Sequence, residues 1–324
     1  MLAIFATTFP FFALVLCGYI AVRRQMLPQL AIPGMNGFVL YFALPCLLYR
    51  FGSSTPVGQL LDPGVFVVYL AAGLLTVALA MMVALRRSAD WNNAAFGALV
   101  SAFPNTGFMG VPLLVALLGT RASGPVIVTL VVDLIITTSL CLALSRLGQD
   151  GPRNPAASGQ GSGVALRLAL GGMLRNPLPW AIVIGALASA LGLVLPGPLE
   201  HTVGLLADAA SPVALFTIGA VLARSQMNAS GPSAPADFLP FALAKLLLHP
   251  LLMFGLGHAA IAAGVPLAAS SLTVLVLVAC LPSASNVALL AERFGADTGR
   301  IARIILVSTA LSFLTFSGAV ALLT

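Results

Sequence analysis

The chain has 324 residues, 60% of them hydrophobic and 7% charged, with a formal net charge of +6. Soluble domains carry charge on about a quarter of their residues, so this composition excludes a soluble globular domain and reads as a polytopic membrane protein. The basic residues stand singly or in pairs between apolar runs, which is a topology signal and not a nucleic-acid patch, so no nucleic-acid partner is expected.

Met1 to Phe5 include no basic residue, so the first apolar run reads as a retained span and not as a cleaved signal peptide. Five apolar runs of spanning length come first, at 3–22, 31–51, 65–85, 94–118 and 125–144. Five more lie at 179–195, 203–223, 238–256, 267–290 and 301–323. Residues 145–178 between the sets are rich in Gly, Ser, Pro and Arg, and 151–163 reads as a flexible linker. The expected organisation is a first five-helix repeat over 1–145, a cytoplasmic linker over 146–178 and a second, inverted repeat over 179–324.

Basic residues set the orientation. Loops after odd-numbered runs hold Arg23, Arg24, Arg86, Arg87, Arg146, Arg153, Arg167, Arg175, Arg224, Arg293, Arg300 and Arg303. Loops after even-numbered runs hold only Arg50 and Arg121, and Lys245 lies inside a run. By the positive-inside rule the odd loops are cytoplasmic and both termini face outward, as expected for a cell-membrane protein. An odd number of spans per half inverts the second half. Pro45 in run two matches Pro212 in run seven, and Pro104 in run four matches Pro282 in run nine. Interrupted segments at corresponding positions point to a site near the bilayer midplane.

Run four carries Phe103-Pro104-Asn105-Thr106-Gly107-Phe108-Met109-Gly110-Val111-Pro112. Each proline removes an N–H and obstructs the preceding turn, and each glycine weakens the helix further. A freed carbonyl in hydrocarbon costs several kcal/mol unless protein or water satisfies it, so broken helices at that depth line cavities. A Pro-kinked packing helix is the alternative reading. Asn105 and Thr106 follow the break, where a restarting half-helix favours an anion and the Asn amide can orient a carboxylate. Gly107 and Gly110 allow close approach. Pro282-Ser283-Ala284-Ser285-Asn286 repeats this recipe, with interhelical hydrogen bonding by Asn286 as the alternative.

Ionisable groups inside spans are expensive and need a reason. Asp133 lies mid-run, Asp208 stands one turn before Pro212, and Lys245 and His249 are four apart on one helix face. An ammonium suits a carboxylate substrate, and the acids could carry a coupling proton. The competing reading is a structural ion pair of Lys245 with Asp133 or Asp208. His201 and His258 sit near span ends, and Glu292, Arg293, Asp297 and Arg300 read as solvated loop charges. Cys17, Cys46, Cys141 and Cys280 read as small buried hydrophobes. No zinc-protease motif, paired acidic prenyl-diphosphate motif or phosphate loop is present, so neither an enzyme nor a metal or cofactor is expected.

Pro104 through Leu114 resembles the fourth-helix motif of the auxin efflux carrier family, which includes the plant PIN exporters and bacterial carriers of malonate or malate type. Pro212 to Gly219, Lys245 to Pro250, and Leu281 to Phe294 resemble its seventh, eighth and ninth helices. The resemblance implies an all-α integral membrane protein of ten transmembrane helices, two inverted five-helix repeats with broken helices 4 and 9 crossing beside the substrate. Spans one, two, six and seven would form a scaffold, with a homodimer contact allowed there. The long cytoplasmic loop of the plant exporters is absent, which makes a small organic acid of bacterial metabolism the expected substrate in place of auxin.

The function expected is therefore a secondary transporter moving a small carboxylate across a lipid bilayer by alternating access. Asn105 and the residues around Pro282 orient the carboxylate, Lys245 adds positive charge, and Asp133 or Asp208 couples a proton. A sodium symporter of the bile-acid type and a passive channel are the alternatives.

Overall fold

The computed structural model describes residues 2–56, 58, 62–87, 89–147, 177–227 and 234–324. Most of the expected 146–178 linker, with Arg153, Arg167 and Arg175, lies outside the described residues, and its two ends, 146–147 and 177–178, are helical. Helix α1 runs over Leu2–Arg23, α2 over Ala31–Ser54 and α3 over Pro63–Arg86. A broken pair follows, α4 (Trp91–Ala102) and α5 (Thr106–Leu118), then α6 (Thr120–Leu147). The second half holds α7 (Pro177–Leu191), α8 (Gly197–Met227) and α9 (Pro235–Ala262). It closes with another broken pair, α10 (Ala269–Ala279) and α11 (Asn286–Arg293), and with α12 (Thr298–Leu323).

Among the described residues, six helices are long and apolar enough to cross a membrane, and no strand forms beyond one isolated bridge. Helix starts follow local chemistry. Asp62 accepts from Gly64 N–H at 2.9 Å and Val65 N–H at 3.1 Å, with Pro63 in the first turn where no N–H is needed. Asp90 accepts from Asn93 N–H at 2.9 Å, a bond that holds its carboxyl below the ordinary carboxylate range. Asp297 caps α12 through Arg300 N–H at 2.9 Å.

Three helices widen to a π turn just before a proline: Val39–Ala43 before Pro45, Thr106–Gly110 before Pro112, and Ala244–Leu248 before Pro250. A proline cannot donate to the carbonyl one turn back, and its ring crowds that carbonyl. The residue before each proline donates instead to a carbonyl five back: Leu44 to Val39, Val111 to Thr106, His249 to Ala244. Helix α6 has a fourth π turn, Asp133–Thr137, without a proline; there Thr138 gives both its N–H and, at 2.7 Å, its hydroxyl to Asp133 O. Pro212, by contrast, leaves α8 unbroken, so run seven is not interrupted as the pairing with run two implied.

Helices α1, α2, α7 and α8 pack chiefly against one another, and α3, α4, α6, α9, α10 and α12 form a second group. Every residue of α4 from Ala94 to Ala102 is buried, as is α10 from Val274 to Ala279, so the two broken pairs lead into the middle of the second group. Phe12 meets Phe313 edge-on at 5.1 Å where α1 touches α12. Large apolar side chains such as Phe9, Leu16, Tyr41, Trp180 and Leu251 are exposed, the surface a lipid solvent requires. Cys17 is also exposed, so it is not a buried small hydrophobe; Cys141 and Cys280 are.

The first group is held by backbone contact through glycine. A Cβ at Gly219 would run into the carbonyl of Val15, and one at Gly18 into the carbonyl of Phe216. On α2 and α7, a Cβ at Gly185 would stand 2.6 Å from Tyr49 O. Gly219→Ala is therefore expected to lower the thermal midpoint in detergent, with an overpacking cost of about 1–3 kcal/mol. Gly204→Ala on the same helix, with nothing within 4 Å, serves as the control and leaves the midpoint unchanged or slightly raised.

Candidate functional site

The main chain leaves helical geometry at Phe103–Asn105 and again at Leu281–Ser285. In each place a proline ends one helix and a short polar stretch precedes the next. The two stretches lie side by side and antiparallel, with Pro104 opposite Ser283. Asn105 N–H donates to Pro282 O at 2.8 Å, and Ala284 N–H donates to Phe103 O at 3.0 Å. Ser283 N–H donates to Ser308 Oγ of α12 at 3.2 Å, and that hydroxyl donates to Ile305 O at 3.0 Å. Each break thus supplies the backbone partners that the other lost.

The side chains tell a different story. Asn105 Oδ1, Thr106 Oγ1, Ser283 Oγ and Asn286 Oδ1 are all buried with no hydrogen-bond partner. Such orphans are few in native proteins, and four of them on two adjoining stretches mark a place built to bind something polar. Ser285 is buried beside them, and Gly107 is half-buried at the start of α5. A Cβ at Gly110 would stand 2.6 Å from Leu281 Cδ1, so this glycine makes room for the Leu281 side chain of the second break. Helices α5 and α11 both begin at the breaks, and their positive dipole ends favour an anion there.

A second polar cluster adjoins the second break. Lys245, fully buried on α9, donates to Ala279 O at 2.6 Å and meets His249 Nδ1 at 3.2 Å. Tyr69 OH donates to Asp133 Oδ2 at 2.6 Å, and Thr137 Oγ1 to Asp133 Oδ1 at 3.1 Å. The Tyr69 and His249 rings are 6.3 Å apart, so the Asp133 and Lys245 groups are neighbours through this pair. His249 Nε2 is buried with no partner.

Asp208 stands elsewhere. It accepts from Arg50 at 2.7 Å on an exposed face, so its ion pair is with Arg50 and not with Lys245. A cavity of about 680 Å³ opens near this pair, lined by Tyr49, Arg50, Glu200 and His201 among others. None of the break residues lines it, and its rim is open, with Val194 84% exposed. The orphaned polar atoms, not this open cavity, identify the candidate site. Arg300 is more than a solvated loop charge: its Nε donates to Asp237 O at 2.9 Å and its guanidinium lies 4.4 Å from the Phe241 ring centre.

Sequence reasoning missed Tyr69 and Ser308. Both are polar residues within apolar runs, which is a signal, but a hydroxyl in a span is usually satisfied by its own helix. Removing the phenol with Tyr69→Phe strips Asp133 of a buried donor. The expected cost is about 1–3 kcal/mol, read as a lower thermal midpoint. A midpoint equal to wild type would show that the carboxyl does not depend on Tyr69.

A family model described as membrane transport protein matches residues 3–320. The protein named "Putative malonate transporter" from Rhizobium meliloti is 29% identical over 310 residues, covering 95% of this chain and 92% of the relative. An "Uncharacterized transporter YfdV" from Escherichia coli is 27% identical over 302 residues, covering 89% and 88%. An "Uncharacterized transporter" from Methanothermobacter thermautotrophicus is 27% identical over 307 residues, covering 93% and 92%. The family and these relatives are membrane transporters and not enzymes, which bears out the resemblance carried by Pro104 through Leu114.

Proposed function

The chain belongs to the membrane transport protein family, and on that footing we propose that it is a secondary carrier of small carboxylate anions. The observation that carries the reading is the set of four orphaned, buried acceptor or hydroxyl atoms on two mutually bonded helix breaks. Asn105, Thr106, Ser283 and Asn286 bind the substrate, Pro104 and Pro282 hold the main chain open, and Gly107 and Ser285 shape the floor. The Thr106 and Ser283 hydroxyls and the Asn Nδ2 groups can donate to a carboxylate. The Asn105 and Asn286 amide oxygens can accept from a hydroxyl or protonated carboxyl of the substrate, and the α5 and α11 dipoles favour the anion. The fully buried Lys245 supplies positive charge nearby. Asp133, held by Tyr69 and Thr137, is the group for proton coupling, in preference to the exposed Asp208.

The reading extends to architecture. Six long helices plus the shorter and broken ones supply ten spans in two inverted repeats of five, with both termini outside and the 146–178 linker in the cytoplasm. The group of α1, α2, α7 and α8 is the scaffold, and the group holding the breaks rocks against it. Malonate is the first substrate to try, because one relative carries that name.

Purified protein screened against mono- and dicarboxylates is expected to gain thermal stability with a small dicarboxylate, and proteoliposomes to show saturable counterflow of the same compound. Uptake that neither saturates nor exchanges points to a channel. Asn105→Ala should abolish the ligand-induced shift while leaving the unliganded midpoint close to wild type. An unchanged shift removes Asn105 from the site.

A further inference from the structure

Helix α12 is apolar enough to span a membrane, yet it buries four hydroxyl side chains: Ser308, Thr309, Ser312 and Ser317. Three of them have partners. Ser308 Oγ donates to Ile305 O at 3.0 Å, Ser312 Oγ to Thr309 O at 2.8 Å, and Ser317 Oγ lies 3.4 Å from Thr8 Oγ1 of α1. Thr309, only 5% exposed, has a buried Oγ1 with no hydrogen-bond partner. A threonine inside a helix ordinarily turns its hydroxyl back to the carbonyl four residues before it, here Ile305 O. That oxygen has two lone pairs, and the helix's own N–H and the Ser308 hydroxyl occupy both. The Thr309 hydroxyl is thus displaced from its own helix by its neighbour.

Its position on α12 says what it faces. Ser308 meets the second break, where it takes the Ser283 N–H at 3.2 Å. Phe313 and Ser317 meet α1, through Phe12 and Thr8. At 3.6 residues per turn Thr309 stands about 100° round from Ser308, while Phe313 and Ser317 stand about 140° and 180° round. It therefore lies between the face turned to the break and the face turned to α1. Helix α12 also packs on α8, as does the start of α5 at Thr106–Gly110, so Thr106 and Thr309 both stand on elements where the break-bearing group meets the first group. Ser283 Oγ, itself an orphan, is linked to the Thr309 neighbourhood by the single Ser283–Ser308 bond. The unpartnered polar atoms of the two breaks continue onto a third element.

We propose that Thr309 Oγ1 is a further substrate-binding group, which donates to the second carboxylate of a dicarboxylate whose first carboxylate is held at the breaks. It thereby sets a preference for diacids over monoacids. The proposal rests on the carrier reading and narrows its substrate class. A monoacid has one charged head, which the break residues already meet, and leaves this hydroxyl unanswered. A diacid brings a second anionic head and gives the hydroxyl a charge-assisted bond.

The test titrates purified full-length protein with malonate and with propionate, which has the same number of carbons and one carboxylate. Thr309→Val keeps the branched shape and removes only the hydroxyl. It is expected to weaken malonate binding by about 10- to 100-fold, the loss of one bond to a charged group, and to leave propionate binding unchanged. Its unliganded thermal midpoint should equal or exceed that of wild type, because a buried unpartnered hydroxyl has been removed. Thr309→Ser keeps the hydroxyl and should keep the preference for malonate. Ser312→Ala removes a hydroxyl that its own helix satisfies, and should bind both acids as wild type does. Thr309→Val binding malonate as tightly as wild type overturns the proposal, and so does an equal weakening of malonate and propionate. A Thr309→Val midpoint well below wild type overturns it too, by showing the hydroxyl bonded within the protein. Should Thr309→Val not fold, Thr309→Ala is read in the same way. Wild type that binds neither acid removes the carboxylate reading and this proposal with it, whereas malonate binding that ignores Thr309 removes the proposal alone.

Discussion

Two main-chain hydrogen bonds, Asn105 to Pro282 and Ala284 to Phe103, govern what the rest of this molecule can be. A helix parted in hydrocarbon leaves polar backbone with no solvent to turn to. One break alone would need water or a neighbouring side chain at every exposed group. Two breaks laid antiparallel answer each other, and the remaining N–H of Ser283 is taken by Ser308. Because backbone satisfies backbone, the amide oxygens of Asn105 and Asn286 and the hydroxyls of Thr106 and Ser283 are left unspent. The arrangement also forces four helix ends into one place, two positive and two negative. Anion-favouring and cation-favouring termini therefore lie within the same buried region, and the sequence provides a tethered ammonium for one of the negative ends.

The division of the helices follows from how each group is packed. In α1, α2, α7 and α8 some contacts run through glycines at backbone distance, where no side chain can be added. In the group holding the breaks, contacts run through polar bonds across long sequence separations, such as Ser101 Oγ to Phe241 O at 3.2 Å and Asn92 Nδ2 to Phe294 O at 3.0 Å. Arg300 bonds Asp237 O and, at 3.3 Å, Asn93 O, tying the starts of α4, α9 and α12 together at one end of that group. A body joined in this way at its end and at its centre holds its internal geometry as a unit.

The breaks could be read in advance because proline and glycine act locally: Pro104 and Pro282 part the helix whatever surrounds them. Capping by Asp62, Asp90 and Asp297 is local in the same way. The partner of Lys245 could not be read, because Ala279 offers a carbonyl and a carbonyl has no letter in the sequence. Asp208 was misleading for the opposite reason. Its apolar neighbours placed it in a span, yet Arg50, far away in the chain, meets it on an exposed face. Cys17 shows the general difficulty: lipid is as apolar as a protein core, so an apolar run does not say which of its faces is inside. Pro212 shows that one proline without polar followers is absorbed by a helix, while the same residue followed by Asn-Thr or Ser-Ala-Ser is not.

The π turns before Pro45, Pro112 and Pro250 each store one residue more than an α-helix would use over the same rise. If such a turn tightens to α geometry, everything on one side of it revolves by about 100° relative to the other. In α9 that revolution would turn the Lys245 stem away from the end of α10 and bring another face of the helix toward it. A proline two residues beyond the slack opposes the tightening. The three prolines act as stops on three short screws, and the azimuth of every side chain upstream of them is set by whether the screw is wound.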